Sequence, residues 1–222
     1  MVRIANPGLE PTFVRRTFIA ALVLALAGTG TVGAIGVRGA SAGDDDARVE
    51  FRYLVGSGLT EVGEICEPDF PCPDAATASS NGDTIVISGE GKLSINQKNG
   101  RPKSVTGGGS FLHKDAAGHV LDVGTWTAKK LLAFKSFGPS VGFPPTFEGG
   151  LARIRVRLVS DSGALKALAI LQVGCVLNEA TAPEGAFEGA KLNIRGGLNF
   201  DQAIQRATLF INLGAVEEED AD

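Results

Sequence analysis

The chain has 222 residues, of which 30 are Gly, 21 are Lys or Arg and 25 are Asp or Glu. Its length allows one domain or at most two small ones, and its 44% hydrophobic residues are enough to bury an ordinary core. A formal net charge of −4 argues against a protein that binds nucleic acid. The Gly content is about twice the usual ~7%, which indicates turns, bulges and strands rather than long helices.

The N-terminal part of the chain carries the pattern of an export leader. Residues 15–42 open with the letters RRTFI, as twin-arginine signals do, and end in the small-residue cleavage site ASA. A retained membrane anchor is the alternative, because residues 17–37 contain no charge over about the length that a bilayer requires. We therefore predict a twin-arginine signal peptide over 1–42. The protein is then secreted or held in the cell envelope, with no stable membrane insertion after cleavage.

Cleavage changes the charge balance and defines the domain plan. The leader holds four Arg and one Glu, so the remaining chain has 17 basic and 24 acidic side chains, a net charge of −7. Acidic residues concentrate in 43–47 and 215–222, which we predict to be a solvated linker and a disordered tail. Residues 48–214 are predicted to form a single domain.

Strict alternation of apolar and polar residues predicts strands along this domain. In residues 84–95 the apolar Ile85, Ile87, Leu93 and Ile95 point one way and polar residues point the other. Further strands are predicted at 104–113, 119–137 with a bend near Gly124 or Lys129-Lys130, 151–159, 165–177, 191–200 and 206–213. About eight strands and no convincing amphipathic helix indicate an all-β fold, an antiparallel closed or nearly closed barrel, with a two-sheet sandwich as the alternative.

One stretch of Gly and two long connections add detail to this plan. Gly107-Gly108-Gly109 within a predicted strand indicates a bulge, a sharp bend, or the close approach of another backbone or of a ligand. The connections 56–83 and 138–150 are long enough either to cover the mouth of a barrel or only to join strands.

The residues also resemble known families. The stretches 107–138, 149–158 and 191–200 (KLNIRGGLNF) are similar to a group of exported bacterial proteins with no assigned activity. More faintly, the strand count and the Gly-rich strands resemble the barrel of allene oxide cyclases and dirigent proteins. The second resemblance implies a fold and, as one alternative, isomerase or cyclase activity on a hydrophobic substrate. No catalytic residue of either barrel family can be matched to a position in this chain.

The three cysteines lie outside the leader and so, after export, in an oxidising compartment. Cys66 and Cys72 flank the short loop CEPDFPC, and a disulfide between them would stabilise the fold by roughly 2 kcal/mol. Cys175 lies on an apolar strand face, where a small buried hydrophobe is the usual role. A disulfide from Cys175 to one of the loop cysteines is the alternative.

Two histidines are the candidate metal ligands. His113 and His119 flank the loop 114–118, so a hairpin could set them side by side, with Asp115 and Asp122 nearby. We expect exposed residues at a hairpin tip instead, because nothing there fixes a ligand set, and so predict no metal. We also predict no other cofactor, since the one dinucleotide-type G-x-G-x-x-G match falls within the leader.

Two groups of side chains are candidate ligand contacts. Arg153, Arg155 and Arg157 alternate with apolar residues, so they form a cationic stripe on one strand face. Inside a barrel they would bind an anion; we expect them outside, because the apolar face of that strand must enter the core. The aromatic residues around the Pro-rich loop are either loop anchors or the lining of a pocket mouth: Phe137, Phe143 and Phe147.

Together these observations predict a β-barrel that binds a small apolar or amphipathic ligand without catalysing a reaction. An isomerase or cyclase working inside the barrel is one alternative, because such reactions can rely on confinement and a few polar groups. An extracellular structural or interaction module is another. The ligand, the oligomeric state and the presence of enzymatic activity stay open at this point.

Overall fold

The computed structural model describes residues 47–63, 66–67, 69 and 72–216. All of them belong to one compact unit, Ser41–Asp222. The predicted signal peptide, most of the acidic linker and most of the acidic tail lie outside the described residues. No helix among the described residues is long and apolar enough to cross a membrane.

The described chain consists almost entirely of β-strands. A single 3₁₀ helix, Gly56–Glu61, follows the first strand. The eleven strands are β1 Arg48–Val55, β2 Ala75–Ser79, β3 Thr84–Asn96, β4 Pro102–Val105, β5 Gly108–Lys114, β6 Val120–Pro139, β7 Phe147–Ser160, β8 Lys166–Cys175, β9 Gly189–Ile194, β10 Asn199–Gln205 and β11 Thr208–Val216.

All strands belong to one antiparallel sheet whose pairings close on themselves. Eight strands form a ring in the order β7-β8-β9-β10-β2-β3-β5-β6, and β6 then pairs with β7. β1 and β11 close a second, smaller ring with β3, β5, β6 and β7, and β4 pairs with β3. The prediction of an all-β fold with about eight strands in a closed antiparallel arrangement is thereby confirmed.

The eight-stranded ring surrounds one apolar core. Each of its strands contributes buried side chains to a single cluster, for example Ala75 from β2, Phe200 from β10 and Leu192 from β9. Alternation along β7 directs its apolar residues inward and its arginines outward, as the sequence predicts. The largest side chains that are completely or nearly completely buried include Tyr53, Phe200, Phe210, Ile85, Ile154, Leu158 and Leu171. Burial of this apolar surface is the main stabilising contribution to the fold.

Close approach of two backbones explains the Gly-rich stretch. Gly109 pairs with Gly89, and a Cβ atom built on Gly109 would lie 1.9 Å from the carbonyl oxygen of Ser88. Gly107 has φ +117°, a conformation that breaks the strand between β4 and β5. Of the possibilities left open for this stretch, the approach of another backbone is the one observed.

Several predicted elements have different bounds from the observed ones. The single strand predicted at 104–113 is wrong, because the break at Gly107 divides it into β4 and β5. The strand predicted at 191–200 is also wrong, because a turn with Gly196 at φ +73° separates β9 from β10. The span predicted at 119–137, with a bend near Gly124 or Lys129-Lys130, is the single strand β6, and its pairing with β7 has a register shift between Ala128 and Lys130.

Candidate functional site

The outer face of strands β6 to β9 is strongly basic. Because side chains alternate along a strand, every basic residue of β7 points away from the core. We call the basic side chains on or next to these four strands the cationic face; its nine members are Lys129, Lys130, Lys135, Arg153, Arg155, Arg157, Lys166, Lys191 and Arg195. All of them are exposed except Lys191, which is partly exposed.

The strand register arranges these cations in rows across the sheet. Lys130 pairs with Arg155, and on the other side of β7 Arg155 pairs with Ile170 of β8. Two residues further along β7, Arg157 is opposite Leu168 of β8. Neighbouring strands lie ~4.8 Å apart and residues on one face repeat every ~6.8 Å, so several cationic groups are within reach of one anionic surface. Aliphatic side chains lie among them.

Acidic residues are nearly absent from the same four strands. The strands themselves carry only Asp122 and Glu148, while Asp161 comes directly after β7 and Glu188 directly before β9. Glu148 is buried, and it accepts hydrogen bonds from the Ser136 hydroxyl and from Asn212 Nδ2, the latter at 2.6 Å. Within the described residues, no carboxylate makes an ion pair with any member of the cationic face. Apart from Lys191, which shares a cleft with Glu179, Glu188 and Asp201, the face is therefore an excess of basic side chains without ion-pair partners on a chain with net negative charge.

An open groove of about 430 Å³ lies within this face, between β7, β8 and β9. Arg155 and Arg195 line it together with Leu168 and Ile170. The backbone N–H of Arg195 donates to the carbonyl of Leu168 at 3.0 Å, which places Arg195 directly after β9 beside β8. The remaining lining residues are Ala169, Asn193 and Gly196. The lining of the groove thus combines two arginines with two large aliphatic residues.

A second open cleft, of about 460 Å³, lies where the chain leaves β8 and enters β9. Its walls carry both signs of charge: Lys191 and Arg206 against Glu179, Glu188 and Asp201. The ammonium group of Lys191 lies over the ring of Phe187, 4.1 Å from its centroid. The other lining residues are Val176, Ala186 and Ala203. This mixed lining favours no single ligand charge.

Glu188 is the carboxyl group of this cleft whose pKa is shifted by its surroundings. The backbone N–H of Val176 donates to its Oε2, and the Thr208 hydroxyl lies 2.8 Å from its Oε1. Burial raises the pKa of Glu188, while these two hydrogen bonds and the charge of Arg206 act in the opposite direction. No feature of the sequence around Glu188 distinguishes it from the other acidic residues, so sequence analysis did not select it.

The two histidines do not share a site. His113 Nε2 is 3.1 Å from Asp83 Oδ2, and its ring packs edge-on against Phe200. His119 is 78% exposed, and its Nδ1 is 3.0 Å from Asp115 Oδ2. This contact lowers the pKa of Asp115. Each ring thus pairs with a different carboxylate, and the described residues contain no group of three or more His, Cys, Asp or Glu that could hold a metal ion.

The three candidate phenylalanines are also separated by burial. Phe137 and Phe147 are buried, whereas Phe143 is 46% exposed. Phe147 is the first residue of β7 and belongs to the apolar core cluster. The group therefore consists of two residues that anchor the connection between β6 and β7 and one exposed residue at its tip.

Cys66 and Cys72 form a disulfide, with Cα atoms 5.4 Å apart, as predicted from the short loop between them. Cys175 is a buried free thiol at the end of β8. Burial raises the pKa of Cys175 well above its ordinary value, so the thiol stays protonated. The alternative pairing of Cys175 with a loop cysteine is wrong.

No protein-family model, curated protein or solved structure matches this chain. The resemblance to a group of exported bacterial proteins accordingly stays a prediction.

Proposed function

We propose that this protein is an exported binding protein that takes up small amphipathic anions in the groove between β7, β8 and β9. One observation carries the proposal: Arg155 and Arg195 line the same open groove as Leu168 and Ile170, and neither guanidinium has a carboxylate partner among the described residues. The leader pattern and the Cys66–Cys72 disulfide support the exported location.

The chemistry of the lining defines the ligand class. Guanidinium groups bind carboxylate, sulfate or phosphate through paired, charge-assisted hydrogen bonds, which suits an anionic head group. The aliphatic side chains of Leu168 and Ile170 would contact a short hydrocarbon chain and gain roughly 25 cal/mol per Å² of apolar surface removed from water. The ligand is thus a molecule with one anionic head and one aliphatic tail.

The proposal places the ligand outside the ring rather than inside it. All eight strands contribute buried side chains to one apolar cluster, while the groove is lined by exposed residues such as Arg155 and Leu168. The isomerase or cyclase alternative requires a substrate within the ring. Such an enzyme would employ a buried carboxylate. Asp83 already has His113 as its partner, and Glu148 already accepts hydrogen bonds from Ser136 and Asn212.

Isothermal titration calorimetry with dodecyl phosphate below its micellar concentration tests this function. Dodecyl maltoside is the control for the tail alone, and inorganic phosphate is the control for the head alone. We expect dodecyl phosphate to bind more tightly than either control. The double variant Arg155→Ala, Arg195→Ala should weaken its binding at least about tenfold, since each charge-assisted hydrogen bond contributes roughly 1.5–3 kcal/mol.

A matched variant separates a specific site from general electrostatic attraction. Arg101 is exposed in the turn between β3 and β4, remote in sequence from the groove. Arg101→Ala removes a charge of the same kind and should leave the affinity within about twofold, as surface substitutions away from a site usually do. Equal affinity for dodecyl phosphate and dodecyl maltoside, or undiminished binding by the double variant, would refute the proposal.

A further inference from the structure

We propose that the cationic face, together with exposed aliphatic residues at one of its ends, docks the protein on an anionic lipid surface. This inference rests on the proposed function, because it takes the groove as the place where one lipid head group is held. It goes further, since the face extends beyond the groove over four strands and is too large for a single small ligand.

The distribution of charge is the first argument. The nine basic residues of the cationic face occur in a chain with a net charge of −4, in which acidic residues outnumber basic ones. Arg153, Arg155 and Arg157 project from one strand at every second residue, so they span about 14 Å. Lys130 and Lys166 extend the face to the strands on both sides. A planar array of anions matches this arrangement better than one anion does.

Exposed aliphatic side chains are the second argument. Val120, Leu121 and Val123 at the start of β6 are 57%, 55% and 38% exposed, and Leu168 on β8 is 42% exposed. The turn between β7 and β8 lies beside them, because the Asp161 N–H donates to the carbonyl of Val123 at 2.9 Å. Leu121 and Val123 therefore form an apolar edge near the turn between β7 and β8, and Leu168 lies opposite Arg157 of the cationic face.

This combination favours a lipid surface over other occupants. Peripheral membrane proteins combine basic residues that contact anionic head groups with apolar side chains that enter the head-group region. A soluble polyanion would contact the cations but would leave the aliphatic edge in water. A second copy of the same face would be repelled by its like charge.

Vesicle co-sedimentation tests the inference with the full chain. Phosphatidylcholine vesicles serve as the neutral probe and vesicles with phosphatidylglycerol as the anionic probe. We expect at least tenfold tighter binding to the anionic vesicles and a loss of that preference at 1 M NaCl. The triple variant Arg153→Glu, Arg155→Glu, Arg157→Glu should bind anionic vesicles at least tenfold more weakly than the wild type.

Control variants distinguish the effect of the cationic face on vesicle binding from the effects of net charge and of the leader. Lys92→Glu, Arg101→Glu, Lys103→Glu reverses three charges on β3, β4 and the turn between them, and it should bind within about threefold of the wild type. Both triple variants retain residues 1–42, so any contribution of the leader cancels. Leu121→Ser with Val123→Ser removes two exposed aliphatic side chains outside the groove and should weaken vesicle binding about threefold to tenfold while dextran sulfate binding is unchanged.

The outcomes distinguish this inference from the proposed function. Binding of dodecyl phosphate without binding of anionic vesicles would overturn the docking inference alone. Failure to bind either probe would overturn both. Loss of dextran sulfate and vesicle binding in the arginine variant, with no effect of the two serine substitutions, would identify a soluble polyanion as the partner and also overturn the docking inference.

Discussion

The Thr208 hydroxyl lies 2.8 Å from Glu188 Oε1 and 2.5 Å from the carbonyl oxygen of Gly174. A hydroxyl has one proton, so it cannot donate to two acceptors at once. The Gly174 carbonyl therefore competes with the Glu188 carboxylate for the Thr208 proton, which weakens the hydrogen bond that would stabilise an ionised Glu188. The burial that raises the pKa of Glu188 acts in the same direction, and the groups facing it are Cys175, Val176, Arg206 and Thr208.

Glu188→Gln should therefore alter the dependence of stability on pH. A carboxyl group with a raised pKa binds more protons in the folded than in the unfolded state between the two pKa values. The free energy of unfolding of the wild type should fall as pH rises from about the ordinary value of 4.5 through the raised pKa. Gln stays neutral and can donate to Thr208, so the variant should be the more stable protein above that window and equal to the wild type below it.

Urea unfolding at a series of pH values measures this difference. Glu179→Gln is the matched control, because Glu179 is exposed at the rim of the same cleft. Its stability difference from the wild type should not change across the window. A difference between Glu188→Gln and the wild type that is constant with pH would show that folding does not raise the pKa of Glu188.

Gly109→Ala should be one of the most destabilising small substitutions in the chain. Its Cβ would lie 1.9 Å from the carbonyl oxygen of Ser88 and 2.6 Å from the Cα of Gly89. Both contacts are with backbone of β3, so the strands must separate, and we expect a loss of about 3 kcal/mol in the free energy of unfolding. Gly63→Ala is the control, since a Cβ there would meet no atom within 4 Å. Equal stability of the two variants would contradict the close approach of β3 and β5.

The single tyrosine of the chain reports on the core. Tyr53 is fully buried and its hydroxyl donates to the carbonyl of Thr106 at 2.8 Å. Burial, and secondarily the charge of Glu90, raises the pKa of Tyr53 well above its ordinary value of 10.0. The neutral phenol is thus stabilised by folding, and this stabilisation is lost as pH rises above 10.0. Phenolate absorbance should therefore appear only together with the alkaline loss of the β-sheet circular-dichroism signal. Phenolate absorbance before that loss would show that the Tyr53 side chain is in contact with water in the folded protein.

The three cysteines should give a distinct pattern of reactivity. Without reductant, a thiol reagent should detect no fast-reacting thiol in the native protein and one thiol after denaturation, because only Cys175 is free and it is buried. Replacing Cys66 and Cys72 by Ser should lower the free energy of unfolding by about 2 kcal/mol, the chain-entropy estimate for so short a loop. Two or three thiols in the denatured, unreduced protein would contradict the disulfide.

Strands with strong alternation are predictable from sequence, and those without it are not. β3 and the C-terminal part of β7 were predicted because one face of each is wholly apolar. β1 has the same alternation and was predictable by the same argument, although we did not predict it. β2 has the sequence AATAS, whose small residues give no such signal, so it was included in a long connection. The alternation of 191–200 continues across a turn by coincidence, which concealed the division into β9 and β10.

The candidate site was predictable only in part. The outward direction of Arg153, Arg155 and Arg157 follows from the apolar face of their own strand. The groove, in contrast, requires Arg195 to lie beside Leu168, and this neighbourhood depends on the pairing of β8 with β9. Strand pairing between segments far apart in sequence is set by core packing, which a one-dimensional pattern does not contain.

The pairing of β1 with β11 has a consequence for how the protein is made. Arg48 is opposite Val216, so the first strand is completed by the last one. Until β11 has left the ribosome, the edge of β1 that pairs with β11 has no partner, and the smaller ring stays open. Closure of the smaller ring therefore follows synthesis of β11, and truncation after β10 would leave two exposed edges, on β1 and β7, that invite aggregation. The proximity of the two strands also makes this fold a good subject for circular permutation.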